Sequence, residues 1–277
     1  MSASKNFNIS VVIPVYNEAE NINACLDALA NQEFPVHEVI VVNNNSSDNS
    51  CSLAAKYDFV KLIHETRQGV GYARDKGFSV ATGDLLARID ADTIVSPDWS
   101  IRIQETIMKN DFDAITGAVS YYGFRFNWLA SGFDLIVRKF TNFFMPGMPF
   151  LLGSNMVVNK SAWIDVQKML CRSKQIHEDI DLAVHLDNQG YKIGFIGSVK
   201  AMISSRRYHS KAKDLYGYTM ALPRTYLLHD SIYFIPCLML VFGCLGLYLP
   251  IRKLLRLLSP VEPAITETRV DPTTNIV

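Results

Sequence analysis

The sequence predicts an α/β domain built on a mostly parallel central sheet with helices on both faces. Three observations lead there. Apolar residues make up 49% of the 277-residue chain, enough for a sizeable core. Short, largely apolar runs recur at Ile9 to Ile13, Val39 to Val42 and Leu85 to Ile89. Stretches with helical spacing separate them. Strands buried on both faces read as continuous apolar runs, and alternation with helices supplies the crossovers that parallel pairing needs.

The elements follow in order. The first strand, Ile9 to Ile13, ends at Pro14. Ala19 to Ala30 carries Ile22, Leu26 and Leu29 at helical spacing. Val39 to Val42 is the second strand, followed by the polar stretch Asn43 to Asp48. Phe59 to Ile63 is the third, Gly69 to Ala81 a helix, and Leu85 to Ile89 the fourth strand. Ser96 and Pro97 read as an N-cap with Pro at the first helical position, opening a helix to about Lys109. Ala114 to Val119, Leu151 to Val158, Lys192 to Ile196 and Val199 to Ile203 read as later strands. Asp179 to Gly190 reads as a helix with Gly190 near its end. In open α/β sheets ligands bind beyond the carboxyl ends of the strands. That gathers Pro14 to Glu18, Asn43 to Asp48 and Asp90 to Thr93 on one rim.

Composition narrows the function classes. Lys+Arg and Asp+Glu balance at 27 each, so no global charge draws the chain to nucleic acid. Five scattered cysteines, Cys25, Cys51, Cys171, Cys237 and Cys244, include no Cys-x-x-Cys pair. Neither a disulfide framework nor a zinc site is expected from that spacing. Residues 1–8 lack the apolar core of a signal peptide, so the catalytic part is expected to face the cytosol.

Five segments carry chemistry. Asp90-Ala91-Asp92 follows a strand, and two carboxylates so spaced hold a hard cation such as Mg²⁺ or Mn²⁺ or simply form a polar turn. Asn43-Asn44-Asn45-Ser46-Ser47-Asp48 is a loop capped by Ser46 or Ser47, or a site whose amides meet a nucleotide base and ribose. His177-Glu178-Asp179 is a charged helix start, or it offers a carboxylate that takes a proton from an acceptor hydroxyl. Arg74 is either solvated or grips a phosphate or orients an aspartate. Arg206, Arg207 and His209, after the last strand, are surface charge, phosphate contacts or, for His209, a metal ligand.

Taken in order, these segments resemble the family 2 glycosyltransferases, which have the Rossmann-like GT-A fold. The resemblance rests on Val11 through Glu18, Val41 through Asp48, Gly71 through Gly77, Ala81 through Asp84, Ile89 through Asp92, Gly153 through Met156, and Glu178-Asp179. It covers roughly Ile9 to Ser205. It implies an inverting transfer of a sugar from a nucleotide diphosphate donor to an acceptor hydroxyl or phosphate. Pro14, Tyr16, Glu18, Asn43, Asn44, Arg74 and Asp90 would bind the sugar donor. Asp90 and Asp92 would hold Mg²⁺ or Mn²⁺, Asp179 would be the catalytic base, and Glu178, Arg206 and His209 would be accessory. Residues 9–120 would form the donor half and 121–229 the acceptor half. The family often has Asp where Asn43 and Asn44 stand. The Gln-x-x-Arg-Trp motif of processive synthases is absent, with Arg206-Arg207-Tyr208 roughly in its place, so a single transfer is expected.

Two other readings of the fold make different demands. A sugar nucleotidyltransferase needs a Gly-rich, basic phosphate loop after the first strand, and Pro14 to Glu18 offers none. A non-catalytic membrane scaffold gains nothing from clustered acids.

Residues 230–258 form a hydrophobic segment expected to associate with a membrane, and 259–277 a disordered tail. Ser231 to Ile251 carries no charge, and as a helix would span ~30 Å, the thickness of a bilayer core. A single crossing places Arg252, Lys253 and Arg256 outside, against the positive-inside tendency. A re-entrant or interfacial segment avoids that conflict. The aromatic stretch Tyr121 to Phe150 either packs internally or meets lipid or a lipid-linked acceptor, such as a cell-envelope glycan.

Overall fold

The computed structural model describes residues 6–122, 143–173, 175–206, 212–243 and 245–246, with Gly132 and Thr141 besides. Its strands are β1 (Ile9–Val15), β2 (Glu38–Asn43), β3 (Val60–His64), β4 (Leu85–Arg88), β5 (Thr93–Val95), β6 (Ala114–Tyr122), β7 (Met156–Asn159) and β8 (Ile193–Ser204). The helices are α1 (Ile22–Ala30), α2 (Ser50–Ala54), α3 (Val70–Val80), α4 (Trp99–Lys109), α5 (Lys160–Val166), α6 (Glu178–Asn188), α7 (Ala212–Leu228) and α8 (234–243).

One sheet runs in the order β3-β2-β1-β4-β7-β6-β8-β5. Strands β3, β2, β1 and β4 are mutually parallel, as are β6 and β8; β7 and β5 run antiparallel to their neighbours. Strand β5 follows central β4 by four residues yet pairs at the far edge of the sheet, so the sheet curls and brings that edge back towards β4.

Successive strand residues point to opposite faces, and each face has its own core. Val11, Ile13 and Val15 of β1 pack with Ile22, Leu26 and Leu29 of α1 and Trp99 and Ile103 of α4. Val12 packs on the other side with Phe78 of α3, Trp163 of α5 and Leu182 and Leu186 of α6. A Cβ on Gly77 would sit 2.2 Å from Val12 Cγ1. Only glycine lets α3 lie this close to β1.

The structure corrects several boundaries. Helix α4 starts at Trp99 rather than after Ser96: Pro97 and Asp98 form a turn, and Ser96 Oγ bonds Asp98 Oδ1 at 2.8 Å. The expected strand at Leu151 to Val158 is a 3-10 turn (Gly153–Asn155) followed by β7. Asn155 causes the bend, because its buried amide donates to Ala118 O and Val199 O and accepts from Trp99 Nε1. The two expected strands after Lys192 are one, since Gly117 pairs with Ile196 and Ala118 with Lys200 across a bulge.

Among the described residues, no helix is long and apolar enough to cross a membrane. Helix α8 begins only at 234, after a turn at 232–233, so the uninterrupted helix expected from Ser231 is not what the described part shows. Cys237, Val241 and Leu245 are buried against the domain, while Ile235, Met239 and Phe242 face outward. Residues 247–277, including Arg252, Lys253 and Arg256, lie outside the described residues, as do His209 and most of 121–150. Within that stretch Phe143 and Phe144 are exposed and Phe150 packs against Met145 and Tyr226.

Candidate active site

The rim of the sheet opens into a cavity of about 670 Å³ lined by Pro14, Tyr16, Glu18, Asn44, Arg88, Asp90, Asp92, Gly153, Glu178, Asp179 and Arg206. Its far end is apolar, closed by Phe150, Leu215, Leu222, Leu240, Val241 and Leu245.

Loop chemistry builds the rim. After β1 the chain turns at Asn17 (φ 55°), and after β2 at Asn45 (φ 67°), left-handed positions that Asn tolerates. The two loops are stitched together. Glu18 N donates to Ser50 Oγ (2.7 Å), Ala19 N to Asp48 Oδ2 (3.0 Å) and Ser47 N to Asn17 Oδ1 (2.8 Å). Helix α2 begins at Ser50, whose N–H donates to Asp48, so neither Ser46 nor Ser47 caps it. These bonds fix Glu18, whose carboxylate accepts from Asn21 Nδ2 (2.9 Å) and Arg206.

The two asparagines expected at a base are occupied locally. Asn44 donates to Glu65 O and Arg67 O and accepts from Gly69 N, all at 2.8 Å. Its side chain lines the cavity while tying β2 to the start of α3. Asn43 bonds His64 and Ser46 N and is not part of the cavity wall. Arg74 is also outside the wall. Fully buried, it pairs with Asp75 and donates to the backbone carbonyl of Glu178 at 2.7 Å. It therefore anchors the first residue of α6, rather than presenting its guanidinium to a phosphate.

The charged centre depends on Arg88, which the sequence reading did not single out. The signal was there: a cation inside the apolar run Leu85 to Ile89. Buried Arg88 donates to Asp90 Oδ1 (2.7 Å) and to Glu178 Oε1. Burial disfavours its charge, but Asp90, Glu178 and Asp179 outweigh that and hold it more firmly protonated than a free guanidinium. Asp92 lies 3.4 Å from Arg206, and its backbone carbonyl accepts from Tyr122 OH at 2.7 Å.

Glu178 and Asp179, neighbours at the start of α6, are driven apart. Burial raises the proton affinity of Glu178, but Arg88 and then Arg74 overcome it, so its carboxyl lies below the usual range. Asp179 is pushed the other way, first by burial and then by the charge of Glu178. It accepts from Gly153 N at 2.8 Å. Two carboxyls set apart in this way supply a fixed anion and a proton acceptor in one place.

Asp90 and Asp92 offer hard oxygen donors to the same cavity, a set suited to Mg²⁺ or Mn²⁺. Asp90 gives one oxygen to Arg88, with no other hydrogen bond to its carboxylate among the described residues.

Comparison with known proteins gives the family and the fold. Residues 10–166 match the profile described as glycosyl transferase family 2. Glycosyltransferase AglE of Haloferax volcanii is 38% identical over 120 residues, covering 41% of this chain and 40% of the relative. The chain spans less than half the length of the curated relatives it matches. Among solved structures, the mannosyltransferase PcManGT from Pyrobaculum calidifontis, in complex with GDP-Man and Mn²⁺, superposes with a TM-score of 0.65 at 18% identity, covering 94% of this chain and 78% of its own. S. aureus TarS 1–349 in complex with UDP-GlcNAc gives 0.58 at 16% identity, covering 79% and 66%. These likenesses show the α/β GT-A fold, and the profile match over more than half the chain means that the protein belongs to glycosyl transferase family 2.

Proposed function

We propose that the protein is an inverting glycosyltransferase that moves a sugar from a nucleotide diphosphate donor to an acceptor hydroxyl or phosphate. The observation that carries this is the meeting of Glu18, Asp90, Asp92 and Asp179 in one cavity from three distant parts of the chain. Asp90 and Asp92 would hold the divalent cation, which when bound neutralises charge on the departing diphosphate. Pro14, Tyr16 and Glu18 form the nucleoside side of the wall, with Asn44 shaping it from behind. Arg206, between Glu18 and Asp92, is placed to meet phosphate once the sugar donor enters. Arg88 keeps Asp90 oriented and balances Glu178. Asp179 receives the acceptor proton: its raised proton affinity suits a general base.

The apolar end of the cavity supports a lipid-linked acceptor, such as a cell-envelope glycan. Leu215, Leu222, Leu240 and Val241 line it, and Ile232, Ile235, Met239 and Phe242 continue outward as an exposed apolar strip. The strip suits a segment lying at a membrane interface, with the catalytic domain on the cytosolic side where nucleotide sugars are made.

The test is release of nucleoside diphosphate from a panel of UDP-, GDP- and dTDP-sugars by the detergent-solubilised protein, with Mn²⁺, Mg²⁺ or chelator. One sugar donor should be turned over, in a metal-dependent way, and Asp92→Ala should abolish it. Full activity in Asp92→Ala would refute the metal assignment. Absence of both release and binding with every donor would favour a non-catalytic scaffold.

A further inference from the structure

A second group of side chains of metal-ligating type gathers around α6, one to two turns beyond Glu178. Cys171 comes from the segment between α5 and α6, Asp181 and His185 from α6, and His229 from just beyond α7. One ligand atom from each, a thiol sulfur, a carboxylate oxygen and two imidazole nitrogens, lies within 4.8 Å of all the others. Asp181 and His185, four residues apart, share one face of the helix. Asp181 is fully buried, and His229 and His185 are 9% and 16% exposed.

The geometry is close to that of a closed tetrahedral site. Metal–ligand distances of about 2.0–2.3 Å place tetrahedral ligand atoms about 3.3–3.8 Å apart. Asp181 Oδ1 is 3.7 Å from His185 Nε2, within that spacing, and 2.8 Å from His229 Nε2, a hydrogen bond that a bound ion would replace. The imidazoles stand edge to face with centroids 4.7 Å apart. His185 Nε2 is buried with no hydrogen-bond partner among the described residues. A buried nitrogen left this way costs stability, and a cation removes that cost. Asp181 Oδ2 accepts from Cys171 N at 2.9 Å, which fixes the carboxylate and holds the cysteine backbone beside it. Charge also balances: a thiolate and a carboxylate neutralise a divalent cation, with two neutral imidazoles completing the set. Burial and Asp181 push the Cys171 thiol up to about 11, and binding of a cation would release that proton to solvent.

We propose that Cys171, Asp181, His185 and His229 bind one Zn²⁺ as a structural site. Sulfur and imidazole donors select Zn²⁺ over the hard cations that suit Asp90 and Asp92. Four protein ligands leave no open position, so the ion acts as a clamp. It joins α7 to α6 two residues beyond Asp179, where His177 N already donates to Thr225 Oγ1 of α7 at 3.0 Å. The spacing of the cysteines argues against a zinc site, but the four ligands come from three segments and only the fold assembles them.

The test uses the full chain, stripped by chelator, with Co²⁺ as probe. Tetrahedral Co²⁺ bound through Cys171 should give a thiolate-to-cobalt charge-transfer band at one ion per chain, displaced by Zn²⁺. The band should persist in Asp92→Asn, which disables the other metal site. It should vanish in Cys171→Ser, and His185→Ala should weaken Zn²⁺ binding by more than about a hundredfold, beyond the loss of an outer-shell partner. Absence of the band from the wild-type protein at saturating Co²⁺ would overturn the site without recourse to any variant. A band that survives in Cys171→Ser would overturn it equally. Neither result bears on the proposed sugar transfer.

Discussion

Replacing Arg88 with Met probes the charged centre directly. The guanidinium is buried and bridges Asp90 and Glu178. Met keeps much of the volume and removes both pairs. Asp90, whose side chain is 33% exposed, recovers water as a partner and contributes little to the loss. Glu178, at 19%, is left as a buried anion with Arg74 engaged mainly through its backbone carbonyl. Breaking a buried pair from one side costs about 3–5 kcal/mol, and the partial exposure places this case near the lower end. Urea unfolding at pH 7, followed by fluorescence of buried Trp99 and Trp163, reads it. Adding Glu178→Gln removes the stranded charge, so the double variant should recover about 2 kcal/mol relative to Arg88→Met. A loss under about 1 kcal/mol for Arg88→Met, or strict additivity in the double variant, would refute the bridging role.

Other expectations follow from the same geometry. Asp179→Asn should lower turnover by about 10²–10⁴-fold while leaving sugar-donor affinity within a few-fold, measured by single-turnover assay and equilibrium binding. In the wild type, a base must be deprotonated, so activity should rise with pH through a midpoint above the ordinary aspartate value of 3.8; a midpoint at or below it would exclude Asp179. On stability the sign is opposite. A carboxyl whose proton affinity is raised by folding costs stability as pH rises past 3.8 through its folded value, and titration of Asp179→Asn against wild type should lack that slope. Gly153→Ala would place a Cβ 1.9 Å from Arg88 Nη1, so stability in urea should fall towards that of Arg88→Met, with a crystal structure showing Arg88 displaced. Glu65, held at about 2 by its bonds to Arg67, should stabilise the β3–α3 loop above its ordinary 4.5 and lose that effect as pH falls towards 2. Arg67 is 64% exposed, so screening limits Glu65→Gln to about 1 kcal/mol at pH 7, read by urea unfolding.

The sequence by itself determined the sheet of the first half. Apolar runs at β1, β2, β3 and β4, separated by α1 and α3, come within one or two residues of their observed ends. The reason is local: strands buried on both faces must be apolar throughout. It also determined which acids reach the rim, because Glu18, Asp90 and Asp92 directly follow strands whose parallel direction sends their carboxyl ends to one side.

Tertiary structure alone decided the rest. Whether Asn43 and Asn44 face a ligand or brace a loop depends on β3 and α3 lying beside them, which no local pattern records. Arg88 became central because β4 pairs with β7 and α6 brings Glu178 against it from ninety residues away. The opposite proton affinities of Glu178 and Asp179 arise from burial and from Arg88 and Arg74, although the two acids adjoin in sequence. The uncharged run from Ser231 is apolar all round, so its sequence marks no inner face, and packing of Cys237, Val241 and Leu245 divided it into an inner and an outer face. Cys171, Asp181, His185 and His229 meet for the same physical reason: side chains distant along the chain share a site only when packing closes the distance between them.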